Sequence, residues 1–456
     1  MQIFSLIAFS ILWLLNALLV WGLHRQWWEF RWVRRTLWIA PLVAYLFMGI
    51  WALGGALDLP WLGRLGGTLT ALAAACSIAL LLALPVSGLI LTGERLVERF
   101  SRNRRDPAVP EAEIAVAAEP AVDVPAASPA VDVPVPDATF APQPRPLIIE
   151  AAGKDRGVSV SPSPNVRPEA EGTNRHRRSF LTKAAAVLPM AALGSAAAGL
   201  LRSQESVLMP EIPFSFPGLH PALDGLRILH LSDIHIGPYV DLDDLEDVML
   251  AAEKRRPDLV LVSGDISDDL SQLPAALRLI AALKPRYGTF ASLGNHEYFR
   301  GIDTVLKVLD AGPVPLLRDA GTALKINGAE LYIGGADDPV RMAQRERNYH
   351  FLRQTVDAAF DGASSSAFHL LMSHRPQGFD IAADQGIALT VSGHTHGAQI
   401  GVNGRSILEP WMREHYLWGH YQRNGSHLYT SAGVGHWFPF RLGCPAEAPI
   451  YILKRG

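Results

Sequence analysis

LRILHLSDIHIG, residues 226–237, is a β-rich apolar run that stops at a polar Asp233-Ile-His235. The same arrangement recurs downstream. PDLVLVSGD (257–265), GTFASLGNHE (288–297), FHLLMSH (368–374) and IALTVSGHTH (387–396) each run from apolar or β-branched residues into Asp, Asn or His, and AELYIGG (329–335) is a further such run. Five to seven residues rich in Val, Ile and Leu, bounded by polar clusters, predict buried strands. With helical stretches between them, they predict an α/β domain of layered sheets whose strand ends feed one edge.

The residues at those ends are metal-ligand types: Asp233 and His235, Asp265, Asn295, His374, and His394 with His396. A loop at a strand end can turn both members of D-x-H or H-x-H toward one cation, although the two would leave a straight strand on opposite faces. Glycines before Asp265, Asn295 and His394 open close-approach backbone positions. Imidazole, carboxylate and amide together suit two divalent or trivalent first-row ions, Mn, Fe, Zn or Co, and are too nitrogen-rich for calcium. Asp265 is the natural bridge, since one carboxylate can hold two cations about 3.5–4 Å apart.

The ordered set D-x-H, G-D, G-N-H-E, H, G-H-T-H resembles the calcineurin-like metallophosphoesterase family over roughly residues 226–454. LSDIHIG, SHRP, SGHTHGAQI and the closing SAGVG and FRLGCPAE are most similar to its bacterial membrane-associated branch, part of which is exported by the twin-arginine route. The resemblance implies an αββα sandwich. It implies one metal on Asp233, His235, Asp265 and His396, a second on Asp265, Asn295, His374 and His394, and attack on phosphorus by a hydroxide between them. His296 then remains to protonate the leaving alkoxide. Glu297 reads as an orienting group, Asp337 and Asp338 as a turn, and Arg300 and Arg375 as phosphate contacts or structural ion pairs. His369, His415, His420 and His436 read mostly as surface or core residues.

Upstream the character changes. Ile3 to Leu23, Leu37 to Leu57 and Leu65 to Thr92 carry no charge beyond those at their margins and are long enough to span a bilayer. Arg25, Arg31, Arg34 and Arg35 separate the first two runs, and Arg95, Arg99, Arg102, Arg104 and Arg105 follow the third, whereas only Asp58 and Arg64 lie between the second and third. The positive-inside bias therefore puts the N-terminus outside. Residues 101–174 are rich in Pro, Ala and Val, repeat AVDVP, and read as a disordered linker. Arg177 and Arg178 then precede an alanine-rich stretch, 184–201, which reads as a twin-arginine-like signal or an ordinary fourth span. The expected domains are thus a membrane region 1–100, the linker, the segment 175–202, and a catalytic domain 203–456. Both termini would lie outside an inner membrane, with the catalytic domain on the periplasmic face.

Lys and Arg number 41 against 44 Asp and Glu, a net charge of −3, so no general basic surface speaks for nucleic acid. Two cysteines, Cys76 and Cys444, support neither a disulfide framework nor a thiolate metal site. The expected activity is phosphodiester or phosphomonoester hydrolysis. Trp411, Trp418, Trp437, Phe438 and Phe440 leave open a lipid substrate, through an amphipathic lip, or plain core packing. Two alternatives are a cytoplasm-facing pyrophosphatase acting on UDP-sugar lipids and a non-catalytic membrane sensor. The sequence does not fix an oligomeric state.

Overall fold

The computed structural model describes residues 2–57, 59–103, 170–340, 345–412 and 415–456. The chain divides into two units, residues 1–92 with 181–456, and residues 93–180. Apolar periodicity yields long helices at the start: α1 (Gln2–Leu23), a short α2 (Arg25–Trp28), α3 (Arg31–Ala56) and α4 (Pro60–Asn103). Helix α5 (Ala170–Arg202) follows. Four helical segments are long and apolar enough to cross a membrane: Leu6–Leu23, Arg31–Ala56, Trp61–Val97 and Lys183–Arg202. Helix reaches three residues into the expected linker at one end and begins at Ala170 at the other, because SRN and AEGTNRHRR contain no proline to stop it. The rest of that linker, together with Asp58, Arg104 and Arg105, lies outside the described residues.

Polar side chains and glycines join the first helices. Asn16 Nδ2 donates to the Ser77 carbonyl at 2.8 Å, Trp13 Nε1 to the Leu37 carbonyl at 2.6 Å, and His24 Nε2 lies 2.9 Å from the Leu84 carbonyl. Where α3 turns into α4 the backbones nearly touch. A Cβ on Gly54 would stand 2.2 Å from Gly63 N, and one on Gly66 would stand 2.3 Å from Trp51 N.

The C-terminal region contains β1 (Glu211–Phe216), β2 (Arg227–Leu231), α6 (Leu242–Arg255), β3 (Leu259–Ser263), α7 (Leu273–Ala282), β4 (Thr289–Ser292) and α8 (Asn295–Asp310). Then come β5 (Ala320–Ile326), β6 (Ala329–Gly335), α9 (Arg345–Ala359), β7 (Phe368–Met372), α10 (Gly378–Asp384) and β8 (Leu389–Ser392). The small strands β9 (Gly401–Val402) and β10 (Arg405–Ser406), then β11 (Gly419–Arg423), β12 (Ser426–Thr430) and β13 (Ile450–Arg455), close it. All six runs expected as strands are strands. They fall into two sheets, β1-β13-β2-β3-β4 and β11-β12-β8-β7-β6-β5.

Ile228, Leu261 and Leu453 from one sheet and Ile333, Leu370 and Val391 from the other share a single buried core, the seam of a sandwich. The first sheet buries its other face with α6, α7 and α8, through residues such as Leu245, Leu277 and Val305. The second buries its own with α9 and α10, through Val356 and Ile381. The architecture is αββα with an all-helical apolar region before it. Parallel neighbours β2, β3 and β4, and likewise β6, β7 and β8, end on common edges, and this gathers their loops.

Leu261 is fully buried in the seam. Leu261→Ala should cost about 2–5 kcal/mol, read as a lower denaturant midpoint of the sandwich in the detergent-solubilised full chain; an unchanged midpoint would contradict this packing.

Candidate metal centre

The loops at the sheet edges bring all eight residues expected at the site into one place. Asp233, His235, Asp265, His394 and His396 have φ of 51°, 53°, 53°, 71° and 49°. This left-handed backbone is uncommon for residues with a Cβ and costs of order 1–3 kcal/mol each. It explains how D-x-H and H-x-H each aim two side chains inward: the residues have left the strand before the alternation applies. The glycines matter mainly for space. A Cβ on Gly393 would stand 2.1 Å from Asp233 Oδ2, and one on Gly294 would stand 2.2 Å from Asp265 Oδ1, while Gly264 also has φ +86°.

Three overlapping clusters result, Asp233 with His235 and His396, His235 with Asp265 and His296, and Asp265 with His374 and His394, each with ligand atoms within 4.8 Å of one another. His396 Nε2 lies 3.4 Å from Asp233 Oδ1 and 3.2 Å from His235 Nε2. His374 Nε2 lies 3.2 Å from Asp265 Oδ2 without the alignment of a hydrogen bond, and His235 Nε2 is 3.7 Å from the same oxygen. Asp265 thus sits between the clusters. Asn295 Oδ1 and His374 Nε2 are buried without a hydrogen-bond partner, a state that costs free energy unless a ligand meets them. The donor set, its convergence and these orphaned atoms fit two cations.

Charge points the same way. Burial disfavours protonation of His374, yet Asp265 and then Asp233 and Asp338 outweigh it and push its pKa up to about 10. His235 is likewise raised against burial, by Asp268, Asp265 and Asp233. Burial pushes the Asp233 carboxyl up, whereas Asp265, although buried, is held well below the usual carboxylate range by His374 and His235. Histidine protons here stand in for the positive charge that metals would bring.

Around the cluster are residues whose roles the motifs did not disclose. Glu297 accepts from the backbone N–H of Asp265, Ile266 and Gly294 at 2.8–2.9 Å, so it fixes the loop that carries Asp265, an orienting role as expected. Asp268 accepts from His296 Nδ1 at 2.5 Å, faces His235 Nδ1 at 3.4 Å and pairs with Arg300 at 3.0 Å. Asp337 and Asp338 do more than form a turn. Asp338 holds the buried Arg375, which donates to His394 Nε2 at 2.8 Å, and Asp337 accepts from Tyr298 and Arg318. Arg300 and Arg375 both pair with structural carboxylates.

Of the four other histidines, His436 is buried beside Tyr239, while His369, His415 and His420 contact Ser364, Tyr416 and His427. Trp418 is core, bonded to Glu447. Trp411 and Trp437 are exposed, and Phe440 packs where a Cβ on Gly199 would be. Trp437 also lines the cleft over the cluster, a space of about 310 Å³ shared with His296, Thr395 and Gln399.

An αββα sandwich with overlapping His/Asp clusters at its sheet edges defines a dinuclear metallohydrolase class. The sequence profile of calcineurin-like phosphoesterases matches residues 226–398. An uncharacterised metallophosphoesterase of Aquifex aeolicus is 30% identical over 237 residues, covering 50% of this chain and 85% of that protein. The uncharacterised metallophosphoesterase YkuE of Bacillus subtilis is 28% identical over 51% of this chain and 80% of its own. A transmembrane protein with metallophosphoesterase domain from Danio rerio is 26% identical over 56% of this chain, which spans only 60% of that relative. The chain belongs to the calcineurin-like metallophosphoesterase family, whose members are metal-dependent phosphoester hydrolases. Its likeness extends to bacterial and vertebrate relatives alike, so it does not single out the export-linked bacterial branch.

With His374 raised to about 10, its ring is protonated at pH 8 in the metal-free protein, and ligation must displace that proton. Mn²⁺ binding at pH 8 should release at least one proton per chain, and apparent affinity should climb as pH rises toward 10; calorimetry in two buffers of different ionisation enthalpy reads both. Binding with no proton release would contradict the assignment of His374.

Proposed function

We propose that this protein is a membrane-anchored phosphodiesterase or phosphomonoesterase working on the side of the membrane opposite its arginine clusters. The observation that carries the chemistry is the run of overlapping clusters that meet at Asp265, with His296 in the middle one. Asp233, His235, Asp265 and His396 would hold one metal, and Asp265, Asn295, His374 and His394 the other. When bound, such metals neutralise phosphoryl charge and lower the pKa of water.

The chain's own residues do the rest. The His296 N–H donates to Asp265 Oδ1 at 2.8 Å, which seats the imidazole at the edge of the cluster. Asp268 engages its Nδ1, so Nε2 is the nitrogen presented to substrate. Asp268 keeps its charge despite burial, because bonds and charge from His235 and His296 hold its carboxyl below the usual range. Its carboxylate holds the ring in place, and a protonated imidazole there can hand a proton to the departing alkoxide. Water supplies the oxygen that replaces it on phosphorus.

Placement rests on Arg64. It pairs with Asp241 and Asp244 at the start of α6, so the short α3–α4 connection and the sandwich keep company on one side. The connection rich in arginines, between α1 and α3, lies one span away. By the positive-inside rule, this supports a catalytic domain outside the cytoplasm, with Arg177 and Arg178 ahead of the last span as a twin-arginine-type signal.

Asp265→Asn in the Mn²⁺-loaded full chain should lower kcat/KM for bis(p-nitrophenyl) phosphate at least about 10³-fold, and His296→Ala about 10²–10⁴-fold. A wild type inert on a broad phosphoester panel sinks the reading. In a bacterial host, protease added to intact spheroplasts should digest the domain after Arg202, and protease added to inverted membrane vesicles should spare it; the reverse pattern overturns the topology.

A further inference from the structure

The cleft over the metal cluster, about 310 Å³, lies at the lower end of the range of ligand sites. A larger cavity of about 1100 Å³ lies on the other side of the His296–Asp268 hydrogen bond. Its two walls differ in origin. Trp51, Gly55 and Trp61 come from the α3–α4 hairpin, whereas Tyr239, Asp268 and Arg300 come from the sandwich. Arg64 locks the walls together, and a Cβ on Gly67 would stand 3.1 Å from the Tyr239 ring.

Resting on the phosphoesterase reading, we propose that this cavity is the subsite for the non-reacting part of a lipid-borne phosphoester, with the membrane hairpin as half of the substrate site. Three observations converge on an amphiphile. The cavity adjoins the group that meets the leaving alkoxide, since Asp268 both lines it and holds His296. One wall is apolar helix from a segment long enough to span a bilayer, with Trp61 65% exposed at its end, where an indole prefers the lipid–water boundary. The other wall sets Asp243, Asp268, Asp269 and Arg300 among Val240 and Leu270, polar groups that suit a headgroup or glycerol. A water-soluble ester would gain nothing from the apolar half. Its volume matches ligand sites of several hundred to about 1,000 Å³.

Gly55 gives the test. It lines the cavity from within a helix, and a Cβ there meets nothing within 4 Å, so a larger side chain obstructs the space without clashing at its base. The full chain in nanodiscs, loaded with Mn²⁺, is assayed on dioleoylglycerophospho-p-nitrophenol and on its deacylated counterpart, with cleavage at either ester bond scored by mass spectrometry. The wild type should favour the acylated ester at least tenfold in kcat/KM, and Gly55→Phe should reduce that ratio at least tenfold. If Gly55→Phe is inactive on both esters, Gly55→Leu is read instead, with the same direction expected. A wild-type ratio near one, no cleavage of the acylated ester, or a ratio unmoved by the substitution overturns the inference even if bis(p-nitrophenyl) phosphate is hydrolysed. Failure on that generic diester as well would instead overturn the phosphoesterase reading beneath it.

Discussion

Asp265 must stay ionised while almost wholly buried, and the site is arranged around that constraint. A lone buried carboxylate would take up a proton rather than bear the desolvation cost. Here Glu297 fixes its backbone N–H, the His296 N–H caps one oxygen, and His374 and His235 face the other. Glu297, itself buried and pushed up by burial and by Asp265, can serve because three backbone N–H groups converge on it. The left-handed backbones are tolerated because the strands behind them lie in a seam of interlocked apolar side chains.

From that centre, order propagates outward by hydrogen bonds. Asp268 positions His296 and meets Arg300; Asp338 positions Arg375, which reaches His394. Asp241 and Asp244, which cap α6 through reciprocal backbone bonds, also receive Arg64 from the helical hairpin. The apolar hairpin is thereby joined to the sandwich by an ion pair, and together they line the cavity that Asp268 borders.

The strands that carry ligands were legible because each is buried on both faces and so reads as an unbroken apolar run. The edge strands β1 and β11 were not, nor were the interior β12 and β13, whose SHLYT and IYILKR carry no ligand motif at their ends. β1 contains Pro213, tolerated at a sheet margin where one N–H bonds nothing, and EIPFSF reads as a lead-in rather than a strand. β11, GHYQR, is mostly exposed and has no apolar signature. The eight site residues were legible because they sit in motifs. Asp268 and Asp338 carry no motif, and their importance appears only when the fold brings His296 and Arg375 to them. Nor could Arg64 be linked to Asp241 and Asp244, 177 and 180 residues away, from charge pattern alone.

The most direct test of the account is metal stoichiometry against rate. Mn²⁺ titrated into metal-free full chain, with bound metal counted by elemental analysis after desalting, should saturate at two ions per chain, with most hydrolysis of bis(p-nitrophenyl) phosphate appearing with the second. Saturation at one ion, or full activity in the metal-free protein, would contradict a dinuclear centre joined at Asp265.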